Sequence, residues 1–417
     1  MVSYSQGWRF NFKTVMFEKT GGIYLKIDPS GASIKLDNKI IKNQSSLFKS
    51  GTLVSDLIEG KYHLNISKDG YYPWDKNADV EPGAATVFDK IVLLPKENSK
   101  KIDDSVDDFA VLGAKTIEER NNFITFGDHL ILRGNKIVDV SPGGKIITAG
   151  ANGIYYLSNL STTDGASLNI NKLFTDIKQS QLNSSGTVSV TAIDFHSFDD
   201  SRLIIGTTGG LYILDTKSLA LEQIAPDALS FAVSGDQLVW ASKEGIFDYN
   251  LVLRATVKIS DIGLSGIDQI QKISISPSGS LVALLQQNGT LTLINYSSRE
   301  SVIVANKVKE FSFSPDSHYL AYADYDGPLS VYNINQPEYI ELSPIKGTPI
   351  SQFNWYKDNA HLITLREGNL NFIELDTSLP INSPVIAEEV NKFSYDENSD
   401  LIYYSTPKGL FSFSVTL

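Results

Sequence analysis

The side chains of this chain that are equipped for chemistry are few and scattered. One aromatic cluster is Tyr71, Tyr72 and Trp74, in the run Gly70-Tyr71-Tyr72-Pro73-Trp74. Aromatic rings so grouped either stack on sugar faces or cap the core of a small domain, because both tasks use large, amphipathic rings. The carboxylate pairs Asp199-Asp200 and Glu388-Glu389 fall in turn-like stretches, and Asp103, Asp104, Asp107 and Asp108 fall in a charged one. The four aspartates lack the glycine and distal glutamate of an EF-hand loop, so they read as solvated linker. The five histidines, His63, His129, His196, His318 and His361, show no pair at metal-ligand spacing.

The familiar catalytic motifs are missing: no nucleophile elbow, no phosphate-binding loop, no dinucleotide fingerprint and no zinc-protease helix. Gly206-Thr207-Thr208-Gly209-Gly210 is glycine-rich but joins two apolar strands and opens no helix, which makes it a hairpin turn. The expectation is therefore a protein that is not an enzyme and has no cofactor, metal or catalytic residues. Tyr71, Tyr72 and Trp74 are its candidate ligand contacts. Sequence alone does not place distant carboxylates relative to one another, as glycosidase chemistry would require.

The chain has 417 residues with a formal net charge of −12, 42% hydrophobic and 20% charged residues, and no cysteine. The acidic balance works against nucleic acid or an anionic lipid surface as partner. Without cysteine there are no disulfides and no thiolate metal sites. No apolar run reaches the roughly 18 residues that a membrane helix needs. Met1 through Phe10 show no signal-peptide pattern, since Gln6-Gly7-Trp8-Arg9-Phe10 is polar and aromatic.

What must position any site is a repeat. A polar turn leads into a short apolar strand, a glycine-centred turn and a second apolar strand, seven times over. The second strands follow Gly153, Gly210, Gly245, Gly289, Gly327, Gly368 and Gly409. Their turns include Ser141-Pro142-Gly143-Gly144, Ser276-Pro277-Ser278-Gly279 and Ser314-Pro315-Asp316-Ser317. A period of about 40 residues is that of four-stranded propeller blades, each of which needs neighbours to bury its faces. The long interval between Gly153 and Gly210 is assigned to a polar loop over Gln179-Ser180-Gln181-Leu182-Asn183-Ser184-Ser185-Gly186. Closure of the ring is assigned to Leu130-Ile131-Leu132 or left to a plain hairpin there, and residues 116–140 are open to hiding an eighth copy. The Ser-Pro turns resemble those of WD40-like and TolB-like bacterial propellers over residues 136–417, although the one Trp-Asp pair, Trp74-Asp75, lies outside the repeats.

Residues 21–95 differ. Gly22-Ile23-Tyr24-Leu25-Lys26-Ile27, Asp28-Pro29-Ser30-Gly31-Ala32, Gly60-Lys61-Tyr62 and Lys68-Asp69-Gly70-Tyr71 resemble the PEGA domain of bacterial and archaeal envelope proteins, with Ser30 and Asn38 as departures. The resemblance implies a location just outside a membrane.

The resulting expectation is an all-β chain with a small PEGA-type β-sandwich followed by a seven-bladed β-propeller, eight blades being the alternative. Residues 1–20 form an N-terminal segment, juxtamembrane through Gly7-Trp8-Arg9-Phe10-Asn11-Phe12; residues 21–95 the sandwich; 96–115 a linker; 116–417 the propeller. The function expected is an extracytoplasmic, envelope-associated scaffold. The sandwich is a wall-proximal spacer and the propeller binds protein or cell-wall polysaccharide, with an anchor expected ahead of this sequence. Two readings compete: a glycan-active hydrolase or lyase, and a cytoplasmic protein-interaction platform.

Overall fold

The computed structural model describes residues 8–11, 15–42, 51–127, 129–133, 135–150, 152–161, 167–182, 188–261, 270–325, 328–342 and 349–415. By packing, the chain divides into two compact units: residues 1–102, 350–406 and 411–417 in one, residues 103–349 and 407–410 in the other. Gly7, Phe12, Gly186 and Gly327, on which parts of the expectations rest, lie outside the described residues.

In the first unit a short hairpin, Trp8–Asn11 against Met16–Lys19, precedes a two-sheet β domain. Its three-stranded sheet places Gly21–Asp28 between Thr52–Leu57, antiparallel, and Ala85–Val92, parallel. Its four-stranded sheet runs Lys39–Ile41, Ser33–Leu36, Gly60–Ser67, Trp74–Val80. Period-two alternation sends Ile23, Leu25 and Ile27 from one sheet and Ile34, Leu36, Leu64 and Ile66 from the other into one core. The same alternation on Trp74–Val80 buries Trp74, Ala78 and Val80, and with them Lys76, which is fully buried.

This unit also holds two four-stranded repeat sheets. One comprises Gln352–Trp355, His361–Arg366, Asn369–Glu374 and Val385–Ala387. The other comprises Lys392–Asp396, Leu401–Thr406 and Gly409–Ser414, and its fourth strand is Ser99–Asp103 from the other end of the repeat. The closing strand is thus Ser99–Asp103, not Leu130-Ile131-Leu132. It escapes a search for apolar strands because it is polar and mostly exposed, as suits a charged sheet edge. Asn98 Nδ2 donates to Ser414 O (2.8 Å) and Tyr404 Oη to Ser99 Oγ (2.7 Å), fixing its place.

The second unit contains six four-stranded antiparallel sheets, spanning 108–133, 135–169, 190–225, 230–260, 270–305 and 308–341, each with its strands in chain order. Leu130, Ile131 and Leu132 belong to His129–Arg133, the last strand of the first of these. The seven glycine turns therefore undercount, and the described residues form eight repeat sheets in all. Neighbouring sheets share their cores: Leu203 and Ile205 pack with Ile147 and Leu157, Trp240 with Ile204 and Leu211, and Phe311 with Leu281 and Leu285. The serine of each Ser-Pro turn is buried and closes its turn. Ser141 Oγ accepts the Lys145 amide (2.9 Å), Ser276 Oγ that of Leu281 (3.1 Å) and Ser314 Oγ that of Tyr319 (2.9 Å). Gly289, with φ of 83°, shows why glycine recurs, since a Cβ there would meet the Lys307 backbone as well as strain the turn.

One correction concerns Gln179 to Leu182, which end a helix, α1 (Ile170–Leu182), rather than lying in a loop. Ile170, Phe174 and Ile177 recur at helical spacing and are buried, and Phe174 meets the Tyr212 ring edge-on at 5.1 Å. Among the described residues no helix is long and apolar enough to cross a membrane.

Candidate functional site

A cleft bearing titratable groups lies in the second unit, between the sheets spanning 135–169 and 190–225. It encloses about 490 Å³ and is lined by Asp139, Asp194, His196, Phe198, Asp199 and Asp200, among others. Asp139 and Asp194 occupy first strands, Asn135–Val140 and Val190–His196, at which register shifts re-aim the side chains. Each carboxylate is pinned in the same way: Asp139 Oδ1 accepts the Val140 amide (2.8 Å) and Asp194 Oδ1 the Phe195 amide (2.8 Å). So held, the two carboxyl groups come within hydrogen-bonding contact of each other.

Burial first, and then the neighbouring Asp139 charge, pushes the Asp194 carboxyl up to about 7. Near neutrality Asp194 thus still carries its proton in part of the molecules. No lysine or arginine pairs with either carboxylate among the described residues. The other two acids of the cleft are engaged. Asp199 accepts the Ser201 hydroxyl (2.6 Å) and amide (2.9 Å), which hold it below the usual carboxylate range, and lies 3.6 Å from Arg202. Asp200 lies 3.1 Å from Lys145 Nζ and packs against Gly143, where a Cβ would collide with its carboxylate. His196 is 7% exposed; burial, then Arg202, holds it below the ordinary imidazole range. Its Nδ1 accepts the Phe198 amide (3.2 Å), which leaves the proton of the neutral ring on Nε2.

The chemistry this permits is narrow. Two carboxyl groups in direct contact leave no room for a sugar between them, whereas glycosidases separate theirs by about 5 Å or more. Among the described residues no group of three or more histidine, cysteine or acidic side chains is arranged to hold a metal.

No family model and no curated protein sequence matches the chain. Among solved structures it is similar to the crystal structure of the C-terminal WD40 domain of Sif2, with a TM-score of 0.52 and 15% identity over 76% of this chain and 97% of that one. It is also similar to the computationally designed Ika8 protein, with a TM-score of 0.50 and 10% identity over 76% and 98% of the two chains. The repeats have a WD40-like β-propeller fold. At such identities the likeness is one of fold alone.

The sequence candidates fall elsewhere. Tyr71 and Trp74 are 6% and 4% exposed and belong to the β-domain core, and the Trp74 indole donates to Glu374 Oε2 (2.8 Å). Tyr72 is half-buried and packs beside Val92 against the cluster that contains Tyr356 and Phe393. His361 is buried with Nδ1 2.7 Å from Asp358, and His318 lies 3.2 Å from Asp316 in its turn. His63 is exposed, 3.4 Å from Asp75. Gly206 through Gly210 is the hairpin expected, connecting Asp199–Thr207 to Gly210–Asp215.

Sequence reasoning missed the Asp139–Asp194 pair, though one signal was present. Two residues ahead of the serine in the Ser-Pro turns stand Asp139, Ser274 and Ser312. A carboxylate at a position otherwise filled by a small hydroxyl marks that repeat as different.

Proposed function

We propose that this chain is a non-catalytic binding platform, whose repeat sheets present clefts to a protein partner. The observation that carries the reading is the cleft between the sheets spanning 135–169 and 190–225. It is open to solvent and lined by side chains pinned by hydrogen bonds. The WD40-like fold supports the same reading by analogy of architecture. In this proposal the domain of residues 21–95 is a PEGA-type spacer at the cell envelope, supported by the Asp28-Pro29-Ser30-Gly31-Ala32 turn and its flanking strands.

Affinity capture tests both halves. The purified chain is immobilised and exposed to a lysate, and in parallel mixed with isolated cell wall. Specific capture of protein supports the platform, and retention on the wall supports the spacer. Protein capture without wall retention leaves a platform that is not wall-proximal, and capture of neither overturns the proposal. Release of soluble sugar from the wall would instead establish the glycan-active reading.

A further inference from the structure

We propose that the cleft at Asp139 and Asp194 receives a lysine or arginine side chain from a partner protein, carried on a segment that also has an apolar residue. This deepens the binding-platform reading and rests on it.

Three independent features of the cleft converge on that guest. The first is charge. Two carboxylates from separate sheets are held in contact by backbone amides, and no basic side chain of the described residues answers them. The other charges around the cleft are already matched, Asp199 with Arg202 and Asp200 with Lys145. The excess negative charge is therefore localised on the Asp139–Asp194 pair, where a cation offsets it.

The second feature is His196. It is more than nine-tenths buried, lines the same cleft, and its Nε2 has no partner among the described residues. With Nδ1 taken by the Phe198 amide, Nε2–H is left as a solvent-reached donor, for which the backbone carbonyl of an extended segment is a fitting acceptor. The third feature is the rim. Phe198 is 61% exposed and meets the His196 ring edge-on at 6.0 Å, while Phe195, Val140 and Val233 contribute to the lining. An aromatic rim beside a pair of acids matches a side chain with an aliphatic stem and a cationic head. A bare divalent cation fits less well, since calcium takes six to eight oxygens and the pair offers only a few.

Binding is then linked to protons. The Asp194 proton must leave before both carboxylates can face a cation, so affinity rises with pH through neutrality. The titratable groups lining the cleft are Asp139, Asp194, His196, Asp199 and Asp200, the last two paired with Arg202 and Lys145.

The test titrates the full chain with a capped pentapeptide, Ala-Leu-Lys-Leu-Ala, with its arginine counterpart, and with the norleucine version that lacks the charge. The lysine and arginine peptides are expected to bind and the norleucine peptide to bind at least about tenfold more weakly, since a buried charge pair is worth that much or more. Affinity of the basic peptides should rise from pH 6 to pH 8, and Asp139→Asn and Asp194→Asn should each abolish that rise. Both variants relieve repulsion, so they fold, as unchanged circular dichroism would verify. Equal binding of the norleucine peptide, or unaltered binding by Asp194→Asn, overturns the inference. Spermidine binding as tightly as the peptides would mark a site for free cations, which overturns the assignment to a protein. Lysate capture separates this inference from the platform reading. Partners lost from both variants support it; partners retained by both overturn it while leaving the platform; no capture by the wild type overturns the platform itself.

Discussion

Lys76 Nζ lies 2.6 Å from Glu374 Oε1, and the two side chains are 0% and 7% exposed. Lys76 belongs to the β domain and Glu374 to the repeat sheet spanning 352–387, so the pair binds a small domain to a sheet nearly 300 residues away in sequence. The ammonium also donates to the carbonyls of Asp376 (2.8 Å) and Ser378. Glu374 accepts the Trp74 indole (2.8 Å), the Asn382 amide (2.7 Å) and the Asn382 side chain (2.8 Å). Backbone bonds flank the pair: Asn77 N donates to Leu379 O (3.0 Å), and Asp75 N to Asn382 Oδ1 (3.1 Å). A buried charge pair so fully hydrogen-bonded specifies one docking geometry, because any shift leaves charges without partners.

Removing one partner should therefore cost far more than removing both. Lys76→Met leaves Glu374 buried without its cation and is expected to lower unfolding stability by about 3–5 kcal/mol. The double variant Lys76→Met with Glu374→Leu should recover most of that loss. Urea denaturation at pH 7 measures both, and a double variant no more stable than the single one would show that the pair itself is not what matters.

The carboxyl pair in the cleft gives the protein a pH signature. Asp194 is raised from 3.8 to about 7 in the folded state, so the folded protein holds this proton more tightly than the unfolded chain. Its contribution is fully present below about pH 4 and is lost as pH rises to 7. Asp194→Asn should remove that slope and stabilise the protein at pH 8, by about 1–2 kcal/mol, because the ionised pair is no longer held together. Thermal melts from pH 4 to pH 8 report it; parallel curves for wild type and variant would contradict the raised Asp194 carboxyl.

A second buried carboxylate behaves differently because a side-chain hydroxyl donates to it. Burial pushes Asp248 up to about 6, its Oδ2 accepts the Tyr296 hydroxyl at 3.0 Å, and its Oδ1 has no partner. Tyr296→Phe withdraws that one side-chain donor. The loss should be about 2 kcal/mol at pH 8, where the carboxylate is charged, and nearer 1 kcal/mol at pH 4.5, where it is neutral. Equal losses at both pH values would mean that Asp248 does not titrate in this range.

These sites differ in how visible they are from sequence, for physical reasons. The repeat was legible because glycine turns and Ser-Pro turns recur with local causes, a positive φ and a hydroxyl that closes the turn. The sheet spanning 108–133 was obscured because one of its hairpins turns on Asn121 and Asn122, with φ of 49° and 65°, in place of glycine. Helix α1 was masked by its polar end, although Ile170, Phe174 and Ile177 carry the helical period. Lys76 could be placed on an apolar face by alternation with Trp74 and Ala78, but its partner is set only by tertiary structure. The Asp139–Asp194 contact likewise depends on how two sheets stack.

The strand Ser99–Asp103 was the hardest to find, and it makes the sharpest structural prediction. It completes the sheet spanning 392–414 non-covalently, while the exposed Asp104-Ser105 step joins it to the rest of the chain. A protease site inserted between Asp104 and Ser105 should be cut in the native state without releasing residues 1–104. The fragment is retained by the strand pairing and by Lys76–Glu374, so the two pieces should co-elute on gel filtration. Tyr404→Phe with Asn98→Ala removes the Ser99 and Ser414 hydrogen bonds and should lower the urea concentration at which the pieces separate, each neutral bond being worth about 1 kcal/mol. Separation of the wild-type pieces in plain buffer would show that Ser99–Asp103 does not hold the sheet closed.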